Sequence, residues 1–332
     1  MSSLKIGRST AEVLEGILPA SADRNELRDS VIPAILKAIW GISKALRNAH
    51  HVALVGSANA FGDDQLNVDV ETENILRDEL KTCATVATVS SEEDPVEKPN
   101  QTTSTSTSAE RYTVAFDPLD GSSIIAPNWS VGTIVGIWDG VSAVGSKPRE
   151  KQIASILGVY GPRTTAVVAV RLPGTKGTCF EVAIDSEDAA AMAVIRTEIS
   201  LAEPPFKTRY FAPANLRAAA EDDRYNQLIS TFISEKYTLR YSGGLVPDVV
   251  HALVKGHGIY MSPVTAASAA KLRRLYELCP VALIVECVGG KAVDPRDGSG
   301  ILDRALEDVD ERGGLVCGTA SEVDKVMVVL SK

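Results

Sequence analysis

The reading of this chain turns on Phe116-Asp117-Pro118-Leu119-Asp120-Gly121-Ser122-Ser123. Two carboxylates stand three positions apart on a backbone stiffened by Pro118, and a Gly-Ser-Ser turn follows at once. Pointed the same way, Asp117 and Asp120 offer hard oxygen ligands to a divalent cation such as Mg²⁺, with the Leu119 carbonyl between them. Gly121 lets the backbone approach a ligand, so the amides of Ser122 and Ser123 can face an anion. Metal ligands beside an anion cradle are what metal-assisted phosphoryl transfer to water requires. The plainer alternative is an acidic turn at a strand end, which the stretch alone does not exclude.

Composition narrows the choice. The 332 residues suit one large or two coupled domains. With 43 acidic against 34 basic side chains, the formal charge of −9 argues against a nucleic-acid binder. An anionic small substrate stays open, because bound cations and local Arg or Lys can invert the field in a cleft. The five cysteines are scattered without Cys-x-x-Cys spacing, which signals buried thiols rather than a disulfide framework or a zinc site. No apolar run approaches the roughly 20 residues of a membrane span. Glu12, Glu15, Asp23 and Glu26 make the start too acidic for a transit peptide. The expectation is a cytoplasmic protein that engages no membrane.

Periodicity predicts helices over residues 24–49 and Val70–Lys81, then strands over Ala84–Ser90, Tyr112–Phe116 and Val131–Trp138. Gly56–Ala60 reads as a small-residue loop. Asn100–Ser108 is polar and low in complexity, and reads as a mobile connection. Ala166–Leu172 and Cys179–Ile184 read as a strand pair around Pro173–Gly177. Beyond residue 200 the pattern turns helical: Leu216–Lys236, Val246–Lys255 and Ala267–Glu277 before Pro280. Strand-like Leu315–Thr319 and a helix from Ser321 close the chain. The expected architecture is mixed α and β with layered sheets. The expected division is an N-terminal subdomain over 1–200 and a C-terminal one over 201–332, in one compact unit.

Carboxylates gather at predicted element ends: Asp63, Asp69, Glu92, Glu93, Asp117, Asp120 and Glu277. If the strands before Glu92 and Asp117 are neighbours, four carboxylates converge at one sheet edge, and such repulsion needs cations. Arg240, Tyr241, Gly243 and Gly244 form a second candidate cluster, fit to hold another phosphate, with Lys271 six residues before Glu277. A solvated basic helix face is the alternative there. The four histidines lack zinc-ligand spacing, and neither a Gly-x-Ser-x-Gly elbow nor a Walker A pattern occurs.

These residues resemble the fructose-1,6-bisphosphatase and sedoheptulose-1,7-bisphosphatase family, within the Mg²⁺-dependent, lithium-sensitive phosphatases. Phe61–Gln65, Val131–Trp138, Tyr160–Thr165 and Glu235–Tyr241 are similar to the sedoheptulose branch in particular. The resemblance implies an αβαβα layered sandwich and two or three Mg²⁺ per active site. It implies metal ligation by Glu92, Glu93, Asp117, Leu119, Asp120 and Glu277. Glu93, Asp69 and Asp63 would then serve the attacking water. It assigns Gly121, Ser122 and Ser123 to the phosphate being cleaved, and Asn215, Arg240, Tyr241 and Lys271 to the sugar and its remote phosphate. It further implies a homo-oligomer, dimer or tetramer, with Arg240 reaching across the interface. Ala218 and Ser262 stand where the fructose pattern has tyrosines. That departure implies room for a seven-carbon sugar, with Arg217 as a replacement phosphate ligand. Neither an allosteric nucleotide site nor paired regulatory cysteines are found. The expected reaction is hydrolysis of the 1-phosphate of sedoheptulose 1,7-bisphosphate. Fructose 1,6-bisphosphate as a main or equal substrate, and a catalytically silent sugar-phosphate sensor, are the alternatives.

Overall fold

The alternating, β-branched segments around the acidic stretch form a broad sheet. A computed structural model describes residues 8–49, 52–58, 64–101, 107–184, 187–188 and 192–330. Among the described residues, nine strands pair in the order Arg8–Ser9, Met192–Arg196, Thr178–Ile184, Thr164–Val170, Gln152–Tyr160, Val131–Asp139, Tyr112–Asp120, Val86–Ser91, Lys98–Pro99. Pairing is antiparallel except between Val86–Ser91 and Tyr112–Asp120, which run parallel. That parallel pair sends both C-terminal ends to the same edge: Ser91 lies opposite Phe116, and the Glu92 amide donates to the Phe116 carbonyl at 3.0 Å.

A second sheet of five strands follows in the order Thr238–Leu239, Tyr210–Pro213, Ile259–Ser262, Leu315–Gly318, Lys291–Val293. Three apolar cores separate the layers. The first packs the Ile32–Asn48 and Asn67–Leu80 helices on one face of the large sheet. The second fills the space between the sheets with the Leu245–Lys255 and Cys279–Cys287 helices. The third covers the outer face of the small sheet with the Asp223–Ser234 and Ala320–Leu330 helices. The order helix, sheet, helix, sheet, helix is the expected αβαβα sandwich. In the middle helix layer Val281, Ala282, Leu283 and Ile284 are fully buried, as an apolar run between two sheets must be. No helix among the described residues is long and apolar enough to cross a membrane.

Several expectations need correction. The predicted Ala267–Glu277 helix is a short strand, Leu272–Arg273, followed by a wide-turned helical segment, Arg274–Leu278, that continues into Cys279–Cys287. Pro280 does not stop it, because it sits in the first turn of that α-helix, where its missing N–H is least costly. Leu216–Lys236 is two helices, since Asp222 accepts the Arg224 amide at 2.9 Å and starts a new one. Leu54–Ala58 is a strand paired with Asp64–Leu66, so part of the expected Gly56–Ala60 loop is extended. Asn100 is anchored, its side chain donating to the Leu80 carbonyl at 2.9 Å. Residues 102–106 of that polar run lie outside the described residues. All five cysteines are free and buried, as expected.

One glycine of the expected Val131–Trp138 strand fixes how close the middle layer can come. A Cβ on Gly132 would lie 2.4 Å from the Val246 Cβ, inside van der Waals contact. Gly132→Ala is expected to push the Leu245–Lys255 helix off the sheet and to destabilise the fold by about 1–3 kcal/mol. A urea melt measures this, and a midpoint equal to the parent's would refute the contact as limiting.

Candidate active site

In a regular strand, residues three apart lie on opposite faces. Here Asp117 pairs with Ile134 and Asp120 with Gly132, so three steps on one strand match two on its neighbour. One extra residue is bulged out at Pro118-Leu119, a position where a proline's missing donor is tolerated. The bulge returns Asp117 and Asp120 to one face. It is the face that carries Ile134 and looks into the layer between the sheets. The Leu119 amide donates to Asp117 Oδ1 at 2.9 Å, and Thr133 Oγ1 donates to the Pro118 carbonyl at 2.8 Å, which fixes the kink.

Glu92 and Glu277 meet Asp117 there, with carboxylate oxygens within 4.8 Å of one another. Glu277 comes from the wide-turned helical segment, and its Oε2 accepts the Arg273 amide at 2.6 Å. Burial, then the neighbouring Glu92, raises the proton affinity of Asp117 and Glu277 well above the carboxylate norm. Asp120 is pushed up to about 6 by burial, against the pull of two backbone amides. Arg273 supplies cationic relief. Only 2% exposed, its guanidinium pairs with Glu92 through Nη1 and with Asp310 through Nε at 3.1 Å. Sequence reasoning missed this residue, because a Lys-Leu-Arg-Arg run reads equally well as a solvated face. The wider spacing of a buried helix start is not visible in it.

Asp69 lies in the first turn of the Asn67–Leu80 helix, where its Oδ2 accepts the Leu66 amide at 2.9 Å. Its other oxygen, Oδ1, is buried and has no hydrogen-bond partner among the described residues. Burial first, then the charge of Glu93, brings its titration up to about 7. Glu92 rather than Glu93 joins the three-carboxylate cluster, while Glu93 is close enough to act on Asp69. Asp63 lies outside the described residues.

The second candidate cluster is built on the start of the Leu245–Lys255 helix. Its first amides, Leu245 and Val246, donate to the two oxygens of Asp120 at 3.0 and 2.6 Å. Gly243 and Gly244 precede it, and Gly243 has φ +103°, which only glycine adopts without strain. Arg240 is exposed, with its guanidinium 5.8 Å from the Tyr210 ring. Tyr241 is near Arg217, Asp248 and Asp120, each of which acts on its hydroxyl. Gly121 has φ +97° and opens the single turn Ser122–Ile125. Asn215 donates to the Pro263 and Ser268 carbonyls at 2.7 and 3.2 Å, tying down the loop that leads to exposed Lys271. The sugar-room expectation at Ala218 fails: Ala218 is fully buried in the core with Phe211 and Tyr225, so its methyl faces no cavity. Ser262 is half-buried at the end of its strand.

Such a cluster fits a cation. Glu92, Asp117 and Glu277 would hold a divalent ion through hard oxygens, relieving a buried repulsion that Arg273 offsets only in part. The fold and this site define a phosphoric monoester hydrolase. Family models described as the fructose-1-6-bisphosphatase N-terminal and C-terminal domains match residues 13–186 and 205–331, and the chain belongs to that family of sugar-bisphosphate phosphatases. It is 34% identical to the chloroplastic sedoheptulose-1,7-bisphosphatase of Triticum aestivum, over 96% of this chain and 75% of that one. It is 35% identical to the class 1 fructose-1,6-bisphosphatase of Syntrophotalea carbinolica, over 82% of this chain and 80% of that one. A crystal structure from Toxoplasma gondii, assigned as a sedoheptulose-1,7 bisphosphatase, superimposes with TM-score 0.84 at 35% identity over 98% of both chains. The Leishmania major fructose-1,6-bisphosphatase in holo form gives 0.83 at 25% identity, over 98% of this chain and 99% of that one.

Carboxyls whose titration lies above the unfolded value bind more protons when folded, so their contribution to stability falls as pH rises. For Asp120 and Asp69 the window runs from about pH 4, where an unfolded Asp titrates, to about 6 and about 7. Metal-free protein is therefore expected to lose melting temperature between pH 5 and 7. Adding Mg²⁺ should raise it more at pH 7 than at pH 5. Thermal melts with Mg²⁺ or chelator test this, and a larger Mg²⁺ effect at the lower pH would contradict it.

Proposed function

We propose that the protein is a Mg²⁺-dependent sedoheptulose-1,7-bisphosphatase, removing the 1-phosphate to give sedoheptulose 7-phosphate and phosphate. The carrying observation is the cluster of buried Asp117 and Glu277 with half-buried Glu92, joined through Asp120 to the turn after Arg240 and Tyr241. Two or three Mg²⁺ held by Glu92, Glu93, Asp117, the Leu119 carbonyl, Asp120 and Glu277 would supply charge neutralisation at the phosphate and acidify the attacking water. The amides of Ser122 and Ser123, after Gly121, hold the 1-phosphate. Asp69, poised near neutrality with a bare buried oxygen, takes the water's proton together with Glu93. Asp63 shares that role. Asn215, Arg217, Arg240, Tyr241, Gly243, Gly244 and Lys271 hold the sugar and its remote phosphate.

The similarity of Tyr160–Thr165 and Glu235–Tyr241 to the sedoheptulose branch supports the seven-carbon choice. Fructose 1,6-bisphosphate is the second reading, favoured by comparable identity to class 1 fructose-1,6-bisphosphatases. The two sugars differ by one hydroxymethylene, a difference that a pocket discriminates by about 1–3 kcal/mol. We place the reaction in the cytoplasm, a reading supported by five buried cysteines that form no disulfide. Phosphate release from both bisphosphates with Mg²⁺ separates the substrates. The seven-carbon sugar is expected to have the higher kcat/KM, and equal values would make the enzyme dual. Asp120→Asn is expected to lower turnover by roughly 100-fold or more. Full activity in that variant would refute the metal-site assignment.

We further propose a homo-oligomer, dimer or tetramer, in which Arg240 serves the neighbour's sugar phosphate. Exposed Leu239, Tyr241 and Trp129 support this, since large apolar side chains left on a surface mark association sites. Mixing Asp120→Asn chains with Arg240→Ala chains should restore activity through hybrid sites. Mixed subunits no more active than either parent would place Arg240 in its own chain's site.

A further inference from the structure

Asp248 is a buried carboxylate that the proposed chemistry leaves unused. It lies in the first turn of the Leu245–Lys255 helix and is 6% exposed. Its Oδ1 accepts the Ser242 amide at 2.7 Å and its Oδ2 accepts the Gly243 amide at 3.2 Å. Its own amide donates back to the Gly244 carbonyl at 3.3 Å, and the Gly244 amide donates to Ser242 Oγ at 3.3 Å. Successive amides converging on one anion make a nest of the kind that binds external anions, and here the chain supplies its own occupant. The turn leads back to Arg240 and Tyr241. On its other side, Leu245 and Val246 donate to Asp120. Two carboxylates, one from each side, thus clamp a single turn between the acidic cluster and the residues assigned to the remote phosphate. Arg240, Tyr241, Ser242 and Asp248 line a 710 Å³ cavity together with Trp129 and Tyr160.

We propose that Asp248 is a positioning residue for substrate recognition. By holding the Ser242 and Gly243 amides it sets where Tyr241 stands relative to Asp120 and where Arg240 stands toward the neighbouring subunit's site, and so governs the grip on the remote phosphate rather than the cleavage. This rests on the sugar-bisphosphatase reading above. Asn at 248 keeps the volume and one acceptor but turns an NH₂ toward an amide N–H, so one of the two amides loses its partner.

The test compares wild type with Asp248→Asn on the sugar bisphosphate and on p-nitrophenyl phosphate, a monoester without a remote phosphate. KM for the bisphosphate is expected to rise roughly tenfold with kcat little changed, while p-nitrophenyl phosphate turnover stays at the wild-type level. An unchanged KM, or an equal loss on both substrates, overturns the proposal. Calorimetric binding of the bisphosphate carries the same expectation without turnover. A wild type that binds it but releases no phosphate overturns the hydrolase reading alone, whereas unaltered affinity in the variant overturns the role of Asp248. If Asp248→Asn does not fold, Asp248→Glu keeps both acceptor oxygens but displaces the same turn by the length of one methylene. The same shift in KM is then expected, and an unchanged KM refutes it.

Discussion

Like charges are held together in a largely buried site between the two sheets, and much of the architecture around it bears on that constraint. Asp117, Asp120, Glu92 and Glu277 would repel by several kcal/mol in a partly buried site. They are brought together by main-chain features that do not depend on their charge: a one-residue bulge at Pro118-Leu119, a parallel strand pair ending at one edge, and a helix that begins just before Glu277. Backbone amides and Arg273 meet part of the cost, and a cation fits what is left. The stability of the layers on either side, packed through three apolar cores, is what lets so strained a centre persist.

The same constraint connects the two halves of the site. Asp120 belongs to the large sheet, yet its oxygens receive the first amides of a helix that lies between the sheets. That helix continues from the turn after Arg240 and Tyr241, so the residues assigned to opposite ends of a bisphosphate share one hydrogen-bonded unit. A helix N-terminus is a favourable place for a carboxylate. Its use here means that Asp120 is tied at once to the acidic cluster and to the substrate-side turn.

The legibility of the sequence follows from how local each cause is. Asp117, Asp120 and Gly121 could be read because proline, glycine and paired carboxylates act through their own backbone. The convergence of Glu92 with Asp117 could be anticipated from strand ends, though only the parallel register made it real. Arg273 was illegible, because a basic run has the same sequence whether it lines a buried helix start or faces water. Ala218 misleads for the complementary reason: a small residue opens space only if it faces a cavity, and this one is fully buried in the core that also holds Phe211 and Tyr225. Pro280 reads as a helix end, since sequence does not show that a wide-turned segment already precedes it.

By itself, then, the sequence determined the chemistry available at the strand ends and the alternation that builds sheets, since both depend on residue type and spacing over a few positions. Tertiary structure decided which carboxylates share one face, which cation answers them, and which amides hold Asp120 and Asp248. Those choices depend on contacts between residues far apart in the chain, such as Asp120 with Val246 and Glu92 with Arg273. Layer packing fixes such contacts, and no local pattern encodes them.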